Sequence, residues 1–186
     1  MRLRLYESAM RLFAERGYEG TSVDDIAETA DVARATVFNY FKRKEEFLDA
    51  WAARRREYLR TAVGQRPHHA STRELLRQSM EALAAVNEDD PHMAHMLVPV
   101  WVRSGRPITE IPYTAYVFAE ILAVGVARGD IRNGVDAELV GNLLREIYLG
   151  TLYRWIDGDA PQPFSLRDHL LISLDILLDG LAADHG

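Results

Sequence analysis

The stretch TSVDDIAETADVARATVFNYFKRKEE, Thr21 to Glu46, decides how the chain is read. Two short helices joined by a tight turn fit it, and a basic run, Lys42, Arg43 and Lys44, follows at once. Val23, Ile26, Ala27 and Ala30 make the inner face of the first helix, while Val32, Val37, Phe38 and Phe41 anchor the second. TSVDD offers two overlapping capping pairs, Thr21 with Asp24 and Ser22 with Asp25. Asp31 falls in the turn, where a left-handed backbone is expected; Asp tolerates that better than most residues. Arg34, Thr36, Asn39 and Tyr40 lie opposite the Val37 and Phe41 side. A helix-turn-helix carries its polar groups this way, with the second helix in the DNA major groove. A solvated helix face beside a solvated charge run would look the same, and spacing alone does not separate the two.

Helical spacing continues on both sides of this stretch. Upstream, Leu5, Ala9, Leu12 and Phe13 predict an amphipathic helix with Gly17 at its C-cap. Downstream, a long helix carries Phe47, Leu48, Trp51, Ala52, Tyr58, Leu59, Ala62 and Val63 on one side. The segment 64–71 breaks the pattern, and Ser71 with Glu74 opens a helix through Val86. HMAHMLVPVWVRSG reads as an apolar helix kinked or broken at Pro99. Residues 105–112 and 157–164 read as loops. Helices are predicted from Tyr113 to Arg128, from the cap Asp136 to about Ile156, and from the cap Ser165 through Leu181. No strand alternation or internal repeat occurs. The fold class is all-α, with about nine helices.

Composition is that of an ordinary globular chain of 186 residues without cysteine, which excludes disulfides and thiolate metal sites. The net charge of −6 argues against a polyanion partner until it is divided: residues 1–60 carry +1 and residues 61–186 carry −7. The basic run is therefore a local patch, and such a patch can bind phosphate even when the rest of the molecule repels it. The basic start, MRLRLYESAMRLF, has no long apolar core and is not a signal peptide. No apolar run is long enough to span a bilayer, so a cytoplasmic protein is expected.

The last two long helices carry more apolar surface than one core needs. Leu139, Leu143 and Ile147 align beside Val140, Leu144 and Thr151, and Leu149, Leu152 and Trp155 add a further face. The final helix has Leu170, Leu171, Leu174, Leu177 and Leu178 in its main stripe, with Ile172 and Ile176 outside it. Helices apolar on several faces are buried on several faces. A homodimer interface is expected there, drawn from Leu143, Ile147, Leu170, Leu174, Leu177 and Leu178 and forming a four-helix bundle.

Residues 9–48, with LF, RGYEGTSVDDIA, ATVFNYF and the Lys-x-Glu before a long helix, resemble the DNA-binding domain of the tetracycline-repressor (TetR) family. The resemblance implies a helix-turn-helix domain over 1–46 and a helical effector-binding and dimerisation domain over 47–186. It implies phosphate contacts from Thr21 or Ser22, Thr36, Tyr40 and Lys44, and base reading from Arg34, Ala35 and Asn39. Asp31 stands where the family usually has Gly, Ala33 and Ala35 replace a small polar residue and Gly, and Phe38 replaces the common Tyr. The implied mechanism is a dimeric repressor on a palindromic duplex operator. A small apolar or aromatic molecule fills the C-terminal pocket, tilts the fourth helix and releases the dimer.

That pocket is expected around Met80, Met93, Met96, Trp101, Tyr113, Tyr116, Glu120 and Tyr148. Methionine adapts to varied shapes, and the aromatic residues offer large contacts with a few polar tips. No nucleophile elbow, glycine-rich phosphate loop or P-loop is present, so no catalytic residue and no cofactor is assigned. His92 and His95 sit three apart and His68 and His69 are adjacent, but no third ligand completes a metal site. The rival readings are an all-helical metal enzyme at His92 and His95, and a DNA-binding protein without an effector.

Overall fold

The computed structural model describes residues 1–64, 70–109, 113–157 and 164–180, and those residues form ten helices and no strand. They are α1 (Arg2–Arg16), α2 (Val23–Thr29), α3 (Arg34–Tyr40), α4 (Glu45–Gly64), α5 (Thr72–Glu88), α6 (Pro91–Arg103), α7 (Arg106–Thr109), α8 (Tyr113–Arg128), α9 (Ala137–Ile156) and α10 (Leu166–Asp179). The all-α expectation holds; the single turn α7 had no separate prediction. The linker expected at 64–71, with His68 and His69, lies largely outside the described residues. So do the last residues of the loop at 105–112, most of the loop at 157–164, and Leu181.

Helix ends follow the local chemistry. Ser22 and Ser71 each accept a hydrogen bond from the backbone N–H three residues on, and Asp25 and Glu74 reciprocate to the capping residue's own N–H. Both carboxyls are held below the usual carboxylate range, first by hydrogen bonds from the serines. Asp136 and Ser165 cap α9 and α10. Asp90 caps α6, with Pro91 in its first turn.

The chain resolves into two compact units, one of Met1–Arg55 with Asp90–Glu110, the other of Arg56–Asp89 with Ile111–Gly186. The sequence places a functional division at residue 46; by compactness, α6 and α7 group with the first three helices. Two ties account for this: His92 Nε2 lies 3.0 Å from the Ala14 carbonyl at the end of α1, and Arg106 donates to both carboxylate oxygens of Asp49 on α4 at 2.8 and 3.2 Å.

In the first unit Leu5, Ala9, Leu12 and Phe13 of α1 are buried with Ile26, Val37, Phe41 and Phe47. The rings of Phe41 and Phe47 stack at 3.9 Å, and Phe13 meets Phe47 edge-on at 6.4 Å. The break expected at Pro99 does not occur: α6 runs helical from Pro91 to Arg103. Proline removes one helical hydrogen bond, but Ala94, Leu97 and Val98, in the turn before the lost donor, are buried and hold the segment helical. Tyr58 of α4, expected inward, is 46% exposed.

The second unit is built on α5, α8, α9 and α10. α8 packs closely on α9, where a Cβ at Gly141 would stand 2.6 Å from the Ala115 carbonyl oxygen. Gly125 approaches Thr72 in the same way, and Thr72 donates through its hydroxyl and its N–H to Asp130. Glu88, at the end of α5, accepts from the first N–H groups of α10, Leu166 at 2.8 Å and Arg167 at 3.3 Å. Arg73 and Arg77 of α5 pair with Asp175 of α10, Arg73 also reaches Asp179, and Arg167 pairs with Glu81.

Burial divides the residues expected at the interface. Leu170 and Leu174 are fully buried within their own unit, and Leu177 and Leu178 are half-buried. α10 turns its leucine stripe inward because α5 and α9 lie against that side. The residues left outside are Ile172, 57% exposed, and Ile176, 44% exposed; on α9 they are Leu139 and Leu143, with Ile147 half-buried below them.

Candidate nucleic-acid interface

The helix-turn-helix is α2, a turn, and α3. Asp31 adopts φ 49° in that turn, alone among the described non-glycine residues in the left-handed region. The Val32 N–H closes the turn on the Ala27 carbonyl at 3.0 Å. α3 has no side-chain cap and only seven residues, so it owes its place to burial of Val37 and Phe41 rather than to its own propensity.

Anchoring α3 on that side leaves the other side open. Arg34, Ala35, Asn39 and Tyr40 are exposed, and Thr36 is half-buried beside them. These five expected contact residues therefore share one surface. Arg34 donates from Nη1 to Asp24 Oδ2 at 2.9 Å, and its guanidinium carbon lies 5.4 Å from the Phe38 ring centre. Lys44 stands at the entry to α4 with its ammonium 4.1 Å from the Tyr18 ring centre. Partial burial lowers the Lys44 pKa, opposed by the carboxylates of Glu19 and Glu45. The Tyr18 phenol is pushed far up by burial, and then by Glu45 and Glu19, so it stays protonated beneath the lysine.

Thr21 and Ser22 part company. The Thr21 hydroxyl is buried and donates to the Gly17 carbonyl at 2.9 Å, which ties α2 to the end of α1. Ser22 is exposed at the start of α2. Of the two alternatives for a phosphate contact, only Ser22 faces outward.

Sequence reading missed Asp24, Phe38 and Tyr18 as partners of the presumed contact residues. Helical spacing alone pairs Phe38 with Arg34, four residues apart; nothing in spacing announces the other two, since Asp24 precedes Arg34 by ten positions and Tyr18 precedes Lys44 by twenty-six.

The expected pocket residues lie in different surroundings. Met80 and Tyr148 are buried in the second unit, where the Tyr148 hydroxyl receives a hydrogen bond from Asn87 at 3.2 Å. Met93 is buried in the first unit, with Met96 and Trp101 half-buried. Tyr113 is half-buried. Tyr116 is 53% exposed and Glu120, one turn on, is exposed too. α8 turns Ala115, Phe118, Ile121 and Leu122 inward, which carries Tyr116 and Glu120 to the outside. His95 Nδ1 lies 2.7 Å from the Pro91 carbonyl, while His92 faces Ala14. No group of three metal-binding side chains occurs among the described residues. No described helix is long and apolar enough to cross a membrane.

Residues 5–51 match the family described as bacterial regulatory proteins, tetR family. The HTH-type transcriptional repressor KstR2 of Rhodococcus jostii is 26% identical over 99% of this chain and 92% of its own length. The fatty acid metabolism regulator protein of Bacillus subtilis is 24% identical over 96% of this chain and 94% of its own. Among solved structures, the Thermus thermophilus transcriptional repressor FadR, in complex with lauroyl-CoA, superposes with a TM-score of 0.71 at 28% identity, covering 100% of this chain and 97% of that one.

Proposed function

Because the chain is a regulator of the TetR family and not an enzyme, we propose that it works as a homodimeric repressor that an acyl-CoA removes from its operator. The observation that carries the DNA part is the exposed polar face of α3, held outward by buried Val37 and Phe41 directly beside the basic run. In this reading Ser22, Thr36, Tyr40 and Lys44 hold phosphates, and Arg34, Ala35 and Asn39 meet base edges in the major groove. Thr21 drops out because its side chain is buried inside the head, whereas Ser22 is exposed. The functional division remains a reading head over 1–46 and an effector and dimer part over 47–186, although α6 and α7 belong to the head's compact unit.

The dimer forms through Leu139, Leu143, Ile147, Ile172 and Ile176, the apolar groups of α9 and α10 that their own unit leaves uncovered. Two heads then read two half-sites of a palindrome. The acyl-CoA reading rests on the lauroyl-CoA held by the Thermus relative. A long acyl chain is an apolar ligand of the kind that buried methionines such as Met80 accommodate. Release requires the ligand to bind the DNA-free arrangement better than the DNA-bound one. A cytoplasmic location follows from this work on DNA.

The test is selection from random duplexes followed by fluorescence anisotropy on the selected duplex. A palindromic site is expected, and micromolar lauroyl-CoA should lower the affinity. Thr36→Ala, Tyr40→Phe and Lys44→Ala should weaken binding to every sequence, while Arg34→Ala and Asn39→Ala should change the preferred sequence. Selection of no palindrome would sink the DNA reading; a palindrome unaffected by lauroyl-CoA would sink only the effector.

A further inference from the structure

Arg34 does not stand alone on the exposed face of α3. Its Nη1 donates to Asp24 Oδ2 at 2.9 Å from the first turn of α2, and its guanidinium lies over the Phe38 ring at 5.4 Å. Phe38 is one helical turn from Arg34, so both belong to one face of α3. The guanidinium is thus held from one side by a carboxylate and from another by a ring.

We propose that Asp24 and Phe38 are positioning residues that fix Arg34 as a base reader and keep it from becoming a phosphate clamp. This rests on the reading of α3 as the groove helix. An arginine on a mobile stem beside DNA is drawn to the nearest phosphate, which carries no sequence information. Asp24 changes that competition in two ways. It holds one N–H of the fork and leaves four donors, more than the two that a purine edge accepts. Its negative charge also repels the phosphates toward which Arg34 would otherwise swing. Phe38 places its ring face within cation–π reach of the guanidinium, which restrains the arginine on that side. The hydroxyl that a tyrosine would place at position 38 is absent, and in this chain the ring itself has the work.

The pair is exposed on both sides, 62% at Arg34 and 60% at Asp24, so the free protein gains little from it. Its effect appears in which base pair is preferred. Exposed pairs of this kind carry at most about fivefold in an equilibrium, and that sets the expected size.

The experiment compares the full-length protein with Arg34→Ala, Asp24→Asn, Asp24→Glu and Phe38→Leu in selections from a random duplex pool, with melting curves confirming that each variant is folded. Arg34→Ala should erase the preference at one base pair of each half-site. Asp24→Asn and Phe38→Leu should weaken the preference at that same base pair by up to about fivefold and leave the other positions unchanged. Asp24→Glu should restore part of it. Asp24→Asn should also bind unselected duplex more tightly, because a charge facing the phosphates is gone. A loss of fold or stability would weaken all positions together and could not single out one. If Asp24→Asn keeps the wild-type preference at the base pair that Arg34→Ala erases, or blurs every position alike, the proposal is overturned. If Arg34→Ala alters no base preference, Arg34 is not a reader and the proposal falls with that assignment. If the wild type selects no sequence at all, the fault lies in the DNA reading itself.

Discussion

Two surfaces of this protein are left uncovered by their own units, and they are opposite in kind. On α3 the uncovered groups are Arg34, Asn39 and Tyr40; on α9 and α10 they are Leu139, Leu143, Ile172 and Ile176. Each helix is anchored in the same manner, by a buried apolar stripe on its other side. What a helix leaves outside then states the chemistry of its partner. A polar face beside a basic run calls for a polyanion and loses strength with salt. An apolar face on two neighbouring helices calls for another apolar face and is indifferent to salt or favoured by it.

The sharpest way to break this comparison is to confuse inside with outside. Leu174→Asp puts a charge where the side chain has no exposure, and should cost about 3–5 kcal/mol, enough to unfold the second unit in a urea titration. Ile172→Glu with Ile176→Glu should leave the fold intact and convert the dimer to monomer in light scattering. A dimer that survives this double change would remove α10 from the interface. DNA affinity should fall steeply in that monomer, since two linked heads bind far more tightly than one.

A smaller effect separates the surfaces by salt. The slope of log affinity against log salt should flatten by about 0.9 when Lys44→Ala removes a cation from a phosphate, while the uncharged Tyr40→Phe should weaken binding and leave the slope unchanged. The dimer, measured over the same salt range, should not weaken. Thr21→Val should cost about 1 kcal/mol of stability through the lost hydrogen bond to Gly17, and leave the DNA affinity of the folded protein unchanged. A loss of affinity in the folded variant would return Thr21 to the phosphate contacts.

The smallest effect is in acid. The Asp25 carboxyl titrates below its ordinary value because Ser22 hydrogen-bonds its charged form. A depressed folded pKa contributes stability above the unfolded pKa, near 3.9, and loses it as pH falls through the folded value. Asp25→Asn should therefore cost a little stability near neutrality, converge with the wild type in strong acid, and so flatten the acid limb of the melting temperature against pH.

Much of this was legible in the sequence because it is local. The capping pairs at Ser22 and Ser71, the left-handed Asp31 and the starts of α9 and α10 depend on residues within one turn of each other. The exposed polar side of α3 follows from Val37 and Phe41 by helical spacing. The misreadings are all questions of which neighbour arrives. Helical spacing sets Ile176 apart from the stripe of Leu174, but only the placement of α5 and α9 decides which of the two faces becomes core and which stays at the surface. Pro99 announces a break by its own chemistry, yet buried Leu97 and Val98 outweigh it. Tyr116 and Glu120 carry polar tips suited to a pocket, but α8 is rotated to bury Phe118 and Ile121. Gly141 resembles any helical glycine until Ala115 stands against it.

The ties from His92 to Ala14 and from Arg106 to Asp49 bear on how the chain is made. Residues 1–55 leave the ribosome without the partners that α6 and α7 supply to their own compact unit. At roughly 5–20 residues per second, those partners follow only after several seconds of further synthesis. During that interval the nascent head has His92 and Arg106 still to come, and its apolar surface toward α6 stands open. A gene fragment cut at residue 55 prolongs that state indefinitely. Added in trans, a peptide of residues 90–109 should slow the fragment's proteolysis, as the missing half of a unit that translation delivers in two instalments.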